Sequence, residues 1–133
     1  MTAPIRNFHD RVTLAIEGHI ATVSLNRPDK YNGLDLEMMR GLVACAKTIK
    51  KNRDVRVVIL RGEGKAFCAG HDLKEIARFR GDADQGAARL TALFGACSAM
   101  MLRLATLARP TIAQVEGIAT AAGLQLVASC DLA

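Results

Sequence analysis

Aromatic residues are scarce in this sequence, which has no tryptophan, one tyrosine and four phenylalanines among 133 residues. Proteins that hold single-stranded nucleic acid interleave basic and aromatic side chains, because bases stack on aromatic rings. The chain lacks that pattern, so we expect no nucleic acid partner. Its formal net charge of +5 is modest and suits a small anionic ligand that carries phosphate groups.

Cysteine pairs of the CxxC type are also missing. The four cysteines lie far apart, at positions 45, 68, 97 and 130, and the three histidines show no metal-ligand spacing. Such cysteines are typical of reduced thiols in cytosolic proteins and not of a disulfide frame or a zinc site. We therefore predict a cytoplasmic protein without a bound metal.

Long apolar runs are absent as well. The longest uncharged run, from Gly117 to Cys130, is too short to span a bilayer. The N-terminus has no apolar segment of the signal-peptide kind, and Asp10 argues against a transit peptide. We expect no membrane association.

The pattern of apolar residues predicts a single α/β domain over residues 1–133. Period-two runs and short apolar runs predict strands at Val12–Glu17, Ile20–Leu25, Val55–Leu60, Thr111–Val115 and from Cys130. Helical spacing predicts helices over Asp35–Lys51, over Asp72–Phe79, up to about Leu107 and up to about Ser129. The strand Val55–Leu60 is nearly all apolar, which predicts cover on both faces. Asp72 and Glu75 predict a capping box for the second helix.

Two turns built from small residues carry the main hint about chemistry. One spans Phe67 to Asp72 and the other spans Gly117 to Gly123, and each lies between a predicted strand and a predicted helix. Gly and Ala let a ligand come close to the backbone, and the first amides of a helix are unpaired donors. One such amide from each turn, converging on a carbonyl oxygen, would form an oxyanion hole.

The same stretches resemble the enoyl-CoA hydratase/isomerase (crotonase) superfamily. The resemblance is carried by Leu25–Pro28, by Phe67–Lys74 and by Pro110–Asp131, in that order, and residues 119–131 are most similar to one branch of the family. It implies a crotonase-type spiral of ββα repeats, of which this chain is the N-terminal part, truncated before the C-terminal helical region. It further implies acyl-coenzyme A thioesters as substrates, no separate cofactor, and trimers or hexamers of the full-length protein.

By position, the resemblance assigns the two oxyanion donors to the backbone amides of His71 and Ala122. The coenzyme A cleft would be lined by Ala69 and by the stretch from His71 through Asp72 and Leu73 to Lys74. Arg27 or Lys30 would meet the phosphates.

One site position departs from the family pattern. Hydratases of the family add water to a 2-enoyl thioester with two glutamates, and Gln125 stands where the first is expected. An amide cannot exchange a proton near neutral pH, although it can orient a water molecule. The second glutamate falls after residue 133. Two alternatives therefore stay open. The chain is either an enzyme with altered acid-base chemistry that hydrates, isomerises or hydrolyses a thioester, or a non-catalytic acyl-CoA-binding or assembly protein.

Several residues have a plainer interpretation. The His71 ring could transfer protons, or it could pack or bond to Asp72, which we favour, with Asp72 itself a helix cap. Gln125 could equally be a hydrogen-bonded core amide. A Clp-type serine peptidase, whose fold is related, would need a serine where the chain has Gly123. A phosphate-binding P-loop fails because Ile59 replaces its first glycine.

Overall fold

The computed structural model describes residues 4–133 and has a five-stranded sheet, a separate two-stranded ladder and four α-helices. The strands are β1 (Ile5–Phe8), β2 (Val12–Glu17), β3 (Ile20–Leu25), β4 (Val57–Gly62), β5 (Ala66–Cys68), β6 (Thr111–Gln114) and β7 (Ile118–Ala119). The helices are α1 (Leu36–Lys51), α2 (Leu73–Arg78), α3 (Ala87–Ala105) and α4 (Ala122–Ala128), with 3-10 turns at Pro28–Lys30 and Phe79–Gly81. The predicted α/β class is confirmed.

The larger sheet has the strand order β1-β2-β3-β4-β6. The first three strands are antiparallel, and β3, β4 and β6 are parallel, joined by crossovers that contain helices. Parallel strands place their carboxyl ends at one edge of the sheet. The segments that follow β4 and β6 start from that edge, and they carry the two small-residue turns.

The core lies between this sheet and α1. Met38, Leu42 and Ile49 of α1 are at most 1% exposed and pack with buried strand residues such as Leu60. On β4, Val58 and Leu60 are 2% exposed, whereas the residues between and beside them are only partly buried. The prediction that this strand is covered on both faces is therefore wrong for one face, and the strand begins two residues later than predicted.

Helix α3 is long and apolar enough, by length and composition alone, to cross a membrane. Core helices of soluble proteins meet the same criterion, and α3 buries Leu93, Cys97, Met100, Met101 and Leu104 in the core. Two other apolar residues of this helix, Phe94 and Leu102, are exposed. The absence of a membrane partner stays a prediction.

The N-termini of α1 and α2 lie side by side, and their caps are linked. Asp72 caps α2 as predicted, since its carboxylate accepts from the N–H groups of Lys74 and Glu75. The predicted capping box is wrong, however, because the N–H of Asp72 donates to the Leu34 carbonyl instead of to Glu75. The Glu75 carboxylate instead accepts from the N–H of Leu36, at 3.1 Å, and so caps the neighbouring helix.

Glu75→Gln is expected to raise the thermal stability of the chain at pH 7. Burial raises the pKa of Glu75, and the negative charges of Asp35 and Asp72 raise it further. The hydrogen bond from the Leu36 N–H lowers this pKa but does not cancel the increase. The folded chain thus favours the protonated acid, so the ionised carboxylate costs stability at neutral pH, and this cost vanishes below the ordinary pKa near 4.5. Glutamine keeps an acceptor for Leu36 without the charge. Because the group is partly exposed, we expect a gain below about 1 kcal/mol.

Thermal unfolding of both proteins at pH 7 and pH 4 measures this gain, which should shrink at the lower pH. Glu37→Gln is the matched control with the opposite sign. Hydrogen bonds from His9 and Arg40 lower the pKa of Glu37, so that neutralising it should reduce stability at pH 7. A lower melting temperature for Glu75→Gln at pH 7 would contradict the expected effect.

Candidate functional site

Two short strands bring the small-residue turns together. β5 and β7 pair in parallel, with Ala66 opposite Ile118 and Cys68 opposite Ala119. β5 leads into residues 69–72, called here the His71 turn, and β7 leads into residues 120–122, the Ala122 turn. The sequence predicts the turns directly after β4 and β6, and it gives no sign of β5 or β7. Strands of three and two residues are too short to show a period.

The two turns are in direct contact. Gly70 has a φ of +95°, which disfavours any other residue. A Cβ atom on Gly70 would lie 3.0 Å from the Ala121 Cβ and 3.5 Å from the Ala122 backbone nitrogen. The absence of a side chain at Gly70 therefore leaves the space beside the Ala122 amide open.

The backbone N–H of His71 faces away from Leu34. Leu34 pairs with His71 as an isolated parallel bridge, in which the Leu34 N–H donates to Gly70 at 2.7 Å and the Asp72 N–H donates to Leu34 at 2.9 Å. In this geometry the N–H of His71 lies on the side opposite Leu34. It has no acceptor among residues 4–133.

The backbone N–H of Ala122 is also unpaired within the part of the chain that the structure describes. Ala122 is the first residue of α4, where an amide has no partner inside the helix. The preceding residue, Ala121, has φ 51° and ψ −126°, a conformation that costs an alanine about 1 to 3 kcal/mol. Two unpaired donors on adjoining turns suit an oxygen that gains negative charge.

A cavity of about 320 Å³ lies beside the His71 turn. Its lining residues are Asp29, Lys30, Tyr31, Gly33, Ala69, Gly70, His71, Asp72, Leu73 and Lys74. The structure thus brings together every residue that the resemblance assigns to the coenzyme A cleft, except Arg27. Lys30 and Lys74 are exposed and place two positive charges at this cavity.

Arg27 has a different role from the expected phosphate contact. Its guanidinium bonds to Asp72 at 2.8 Å and lies 3.2 Å from Asp35, and its side chain is only 16% exposed. It does not line the cavity. Burial would raise the pKa of Asp72, but the Arg27 guanidinium and the α2 amides outweigh burial and lower it. Of the two residues proposed for the phosphates, only Lys30 faces the cavity.

The His71 ring packs and does not bond to Asp72. It meets the Phe94 ring edge-on, with ring centroids 5.2 Å apart, and its Nδ1 atom is buried without a hydrogen-bond partner. Burial lowers the pKa of His71, which favours the neutral ring. The expected packing is confirmed, whereas the expected hydrogen bond to Asp72 is wrong because that carboxylate is taken by Arg27 and the α2 amides.

Gln125 lies on α4, one helical turn after the strained Ala121. Its side chain is exposed, so the interpretation as a buried core amide is wrong. Residues three and four apart share a helix face, which places Gln125 on the same side as the Ala122 turn. An amide there can donate to or orient a water molecule, but it cannot act as an acid or a base.

Asn32 is a supporting residue that the sequence analysis does not identify. It is fully buried, accepts from the N–H of Arg27 at 2.8 Å, and donates to the carbonyls of Glu63 and Ala66, each at 2.9 Å. These bonds tie the turn after β3 to β5. The sequence feature that indicates this turn is the Asn32-Gly33 pair, because asparagine tolerates the left-handed φ of 54° that it has in the structure.

Comparison with known proteins now identifies the class of this fold. The family model described as enoyl-CoA hydratase/isomerase matches residues 15–133. The chain therefore belongs to the enoyl-CoA hydratase/isomerase family, as the sequence motifs indicated. Among residues 4–133, no group of three or more His, Cys, Asp or Glu side chains could hold a metal ion.

The branch indicated by residues 119–131 also recurs among the relatives. Enoyl-CoA hydratase domain-containing protein 3, mitochondrial, of Danio rerio is 39% identical over 117 residues, which are 88% of this chain and 39% of that protein. The crystal structure of the human protein of that name superposes with a TM-score of 0.81 at 37% identity, over 90% of this chain and 46% of that one.

A second solved structure agrees with these. The enoyl-CoA hydratase/carnithine racemase of Magnetospirillum magneticum has a TM-score of 0.84 at 38% identity, and the match covers 96% of this chain and 46% of that chain. The present chain thus spans less than half the length of the relatives that it matches.

Proposed function

We propose that the chain forms the thioester-binding part of an acyl-CoA enzyme, nominally an enoyl-CoA hydratase that adds water to 2-enoyl-CoA. The observation that supports this most is the pair of free backbone amides, at His71 and Ala122, on two turns in contact. A thioester carbonyl gains negative charge when its α-carbon becomes enolate-like. Fixed amides that receive this charge stabilise the transition state by about 3 kcal/mol per donor.

The cavity beside the His71 turn supports coenzyme A as the carrier. Its lining includes residues 69–72, the exposed ammonium groups of Lys30 and Lys74, and the carboxylate of Asp29. Because Arg27 pairs with Asp72, the two lysines outnumber the one other carboxylate, Asp29, and this positive balance attracts a phosphate-bearing ligand. We therefore place the coenzyme A moiety along Ala69, His71, Asp72, Leu73 and Lys74, with Lys30 toward the phosphates. The cytoplasmic location and the trimeric or hexameric assembly remain predictions.

A second candidate function is acyl-CoA binding without hydration, and Gln125 favours it. The exposed amide stands where the family resemblance expects the first acid-base glutamate. Isomerisation or thioester hydrolysis would use the same amide pair with other proton carriers. A serine peptidase is excluded at this position, since even a Cβ atom on Gly123 would collide with the Cys68 carbonyl.

The test combines turnover with binding. Hydration of crotonyl-CoA is followed in a steady-state assay, and butyryl-CoA and free CoA are titrated in parallel by calorimetry. Hydration above the buffer rate supports the hydratase. Tight binding of butyryl-CoA without turnover of any thioester supports the binding protein. The proposal would be overturned if butyryl-CoA bound no more tightly than free CoA and crotonyl-CoA was hydrated no faster than in buffer.

Deleting a single amide donor tests the proposed role of the backbone. Replacing Ala122 by lactate, its hydroxy-acid analogue, changes the N–H to an oxygen and leaves the side chain unchanged. We expect butyryl-CoA affinity to fall about 3- to 10-fold, as for one lost hydrogen bond. The affinity for free CoA, which has no thioester carbonyl, should stay the same, and an equal loss for both ligands would contradict the assignment.

A further inference from the structure

Four charged side chains, two of each sign, form a cluster beside the His71 turn, and the Glu75 carboxylate lies close enough to feel both of its aspartates. Arg27 lies between Asp35 and Asp72, and Arg11 bonds to Asp35 at 3.0 Å. The side chains of Arg27, Asp35 and Asp72 are 16%, 8% and 12% exposed. Two positive and two negative charges in so little solvent depend on one another, because each would be costly to bury alone.

Each aspartate in this cluster divides its two oxygens between two tasks. The Oδ1 atom of Asp35 caps α1 through the Met38 N–H at 2.8 Å, while its Oδ2 atom faces Arg27. The Oδ1 atom of Asp72 caps α2 through the N–H groups of Lys74 and Glu75, while its Oδ2 atom accepts from Arg27. Arg27 therefore joins the first turns of two helices through the caps themselves.

The His71 amide lies between those two anchored points. Leu34, next to Asp35, makes both hydrogen bonds of the bridge, one to Gly70 and one to Asp72. His71 is thus flanked by residues that are tied to the start of α1. If α2 moved relative to α1, this bridge would rotate, and the direction of the His71 N–H would rotate with it.

We propose that Arg27 is a positioning residue for the acyl-CoA site. By holding Asp35 and Asp72 together, it fixes the direction in which the His71 amide points. The inference rests on the proposed function, which directs that amide at a thioester oxygen. Arg27 would then affect binding of the acyl part of the ligand and not binding of the phosphates. A basic residue near the cavity would ordinarily be expected to contact the phosphates.

Arg27→Met and Asp35→Asn test the proposal from both ends of the contact. Methionine removes the charge and keeps an unbranched apolar side chain. Asparagine can still cap α1, and Asp35 does not line the cavity. Arg40→Met is the matched control, since Arg40 is an exposed arginine, paired with Glu37, outside the cluster.

Three readouts separate positioning from a merely structural role. The first is the ¹⁵N–¹H resonance of the His71 amide in the 133-residue chain. The second is the infrared carbonyl band of bound [1-¹³C]butyryl-CoA, which shifts when the oxygen accepts hydrogen bonds. The third is the ratio of the affinities for butyryl-CoA and free CoA.

In both variants we expect the His71 resonance to move, the carbonyl band to return toward that of the free thioester, and butyryl-CoA affinity to fall about 3- to 10-fold. Affinity for free CoA should stay within about twofold, below the loss expected for one hydrogen bond, and Arg40→Met should match the wild type. The double variant should lose no more than either single variant, because both remove the same link.

An equal loss for both ligands in Arg27→Met, with no loss in Asp35→Asn, would show a phosphate contact and overturn the proposal. An unchanged His71 resonance in variants that fold would also overturn it. If Arg27→Met fails to fold, Asp35→Asn decides alone. If the wild type itself leaves the thioester band unshifted, the proposed function fails, and the His71 resonance still decides whether Arg27 positions the turn.

Discussion

Gly123→Ala is expected to destabilise the chain by about 3 kcal/mol, at the upper end of what overpacking usually costs. The backbone of Gly123 does not need glycine for its dihedral angles, since its φ is not in the left-handed region. The need is for space. A Cβ atom there would overlap the carbonyl of Cys68, which is part of β5 and cannot move aside as a flexible side chain could.

The matched control for this substitution is Gly95→Ala in the middle of α3. A Cβ atom at Gly95 meets nothing within 4 Å, so this variant should be stabilised by about 0.5 to 1 kcal/mol through the better helix propensity of alanine. Urea denaturation of the three proteins gives both values. Equal stabilities of Gly123→Ala and the wild type would mean that the start of α4 is not in close contact with the Cys68 carbonyl of β5.

Gly123→Ala should also impair ligand binding. Any shift that relieves the overlap moves the start of α4 away from β5, and the Ala122 amide moves with it. We expect the variant to bind butyryl-CoA more weakly even under conditions where it remains folded. The affinity for free CoA, whose proposed site is the cavity beside the His71 turn, should be affected less.

In the full-length protein, Gln125→Glu is expected to raise the rate of crotonyl-CoA hydration by about 10²-fold or more, since a general acid-base group contributes roughly 10²- to 10⁴-fold. The side chain of Gln125 is exposed, so a carboxylate can replace the amide without a large desolvation cost. Gln125 shares a face of α4 with Ala122, so the carboxylate would lie on the side of the proposed oxyanion site.

The control for added charge is Gln114→Glu, at an exposed position of β6. It should leave the hydration rate unchanged. The rates of the wild type and both variants are compared with that of buffer. If Gln125→Glu gains no rate while it still binds butyryl-CoA, the missing carboxylate is not the main difference from a hydratase, and the binding function becomes the better proposal.

The elements that the sequence predicted well are those with a strong period. Strands β2 and β3 have the predicted bounds, and α1 begins directly after Asp35, which caps it. In these elements apolar residues recur on one face over several helical turns or strand alternations. The face that the sequence pattern predicts to be buried is therefore the one that packs in the core. The short strands β5 and β7 have no such pattern, and only pairing with each other makes them strands.

The part of the candidate site that consists of backbone groups could be predicted from the sequence. The small residues Gly70 and Ala121–Gly123 predict a close approach of the backbone, and the structure brings their two turns into contact. The roles of charged side chains were not predictable in the same way. Whether Arg27 meets a phosphate or two aspartates, and whether Glu75 caps its own helix or a neighbour, depends on distances between segments far apart in the sequence.

The ladder of β5 and β7 has a consequence for how the chain folds. The two strands are separated in the sequence by α2, α3 and β6. The ladder therefore forms only when this long intervening segment is ordered, at a cost in conformational entropy. Neither segment alone can present the two donors, and a peptide of either one should be inert. A thioester that bridges the ladder would bind only the closed chain, and its binding free energy would add directly to the stability of the native state.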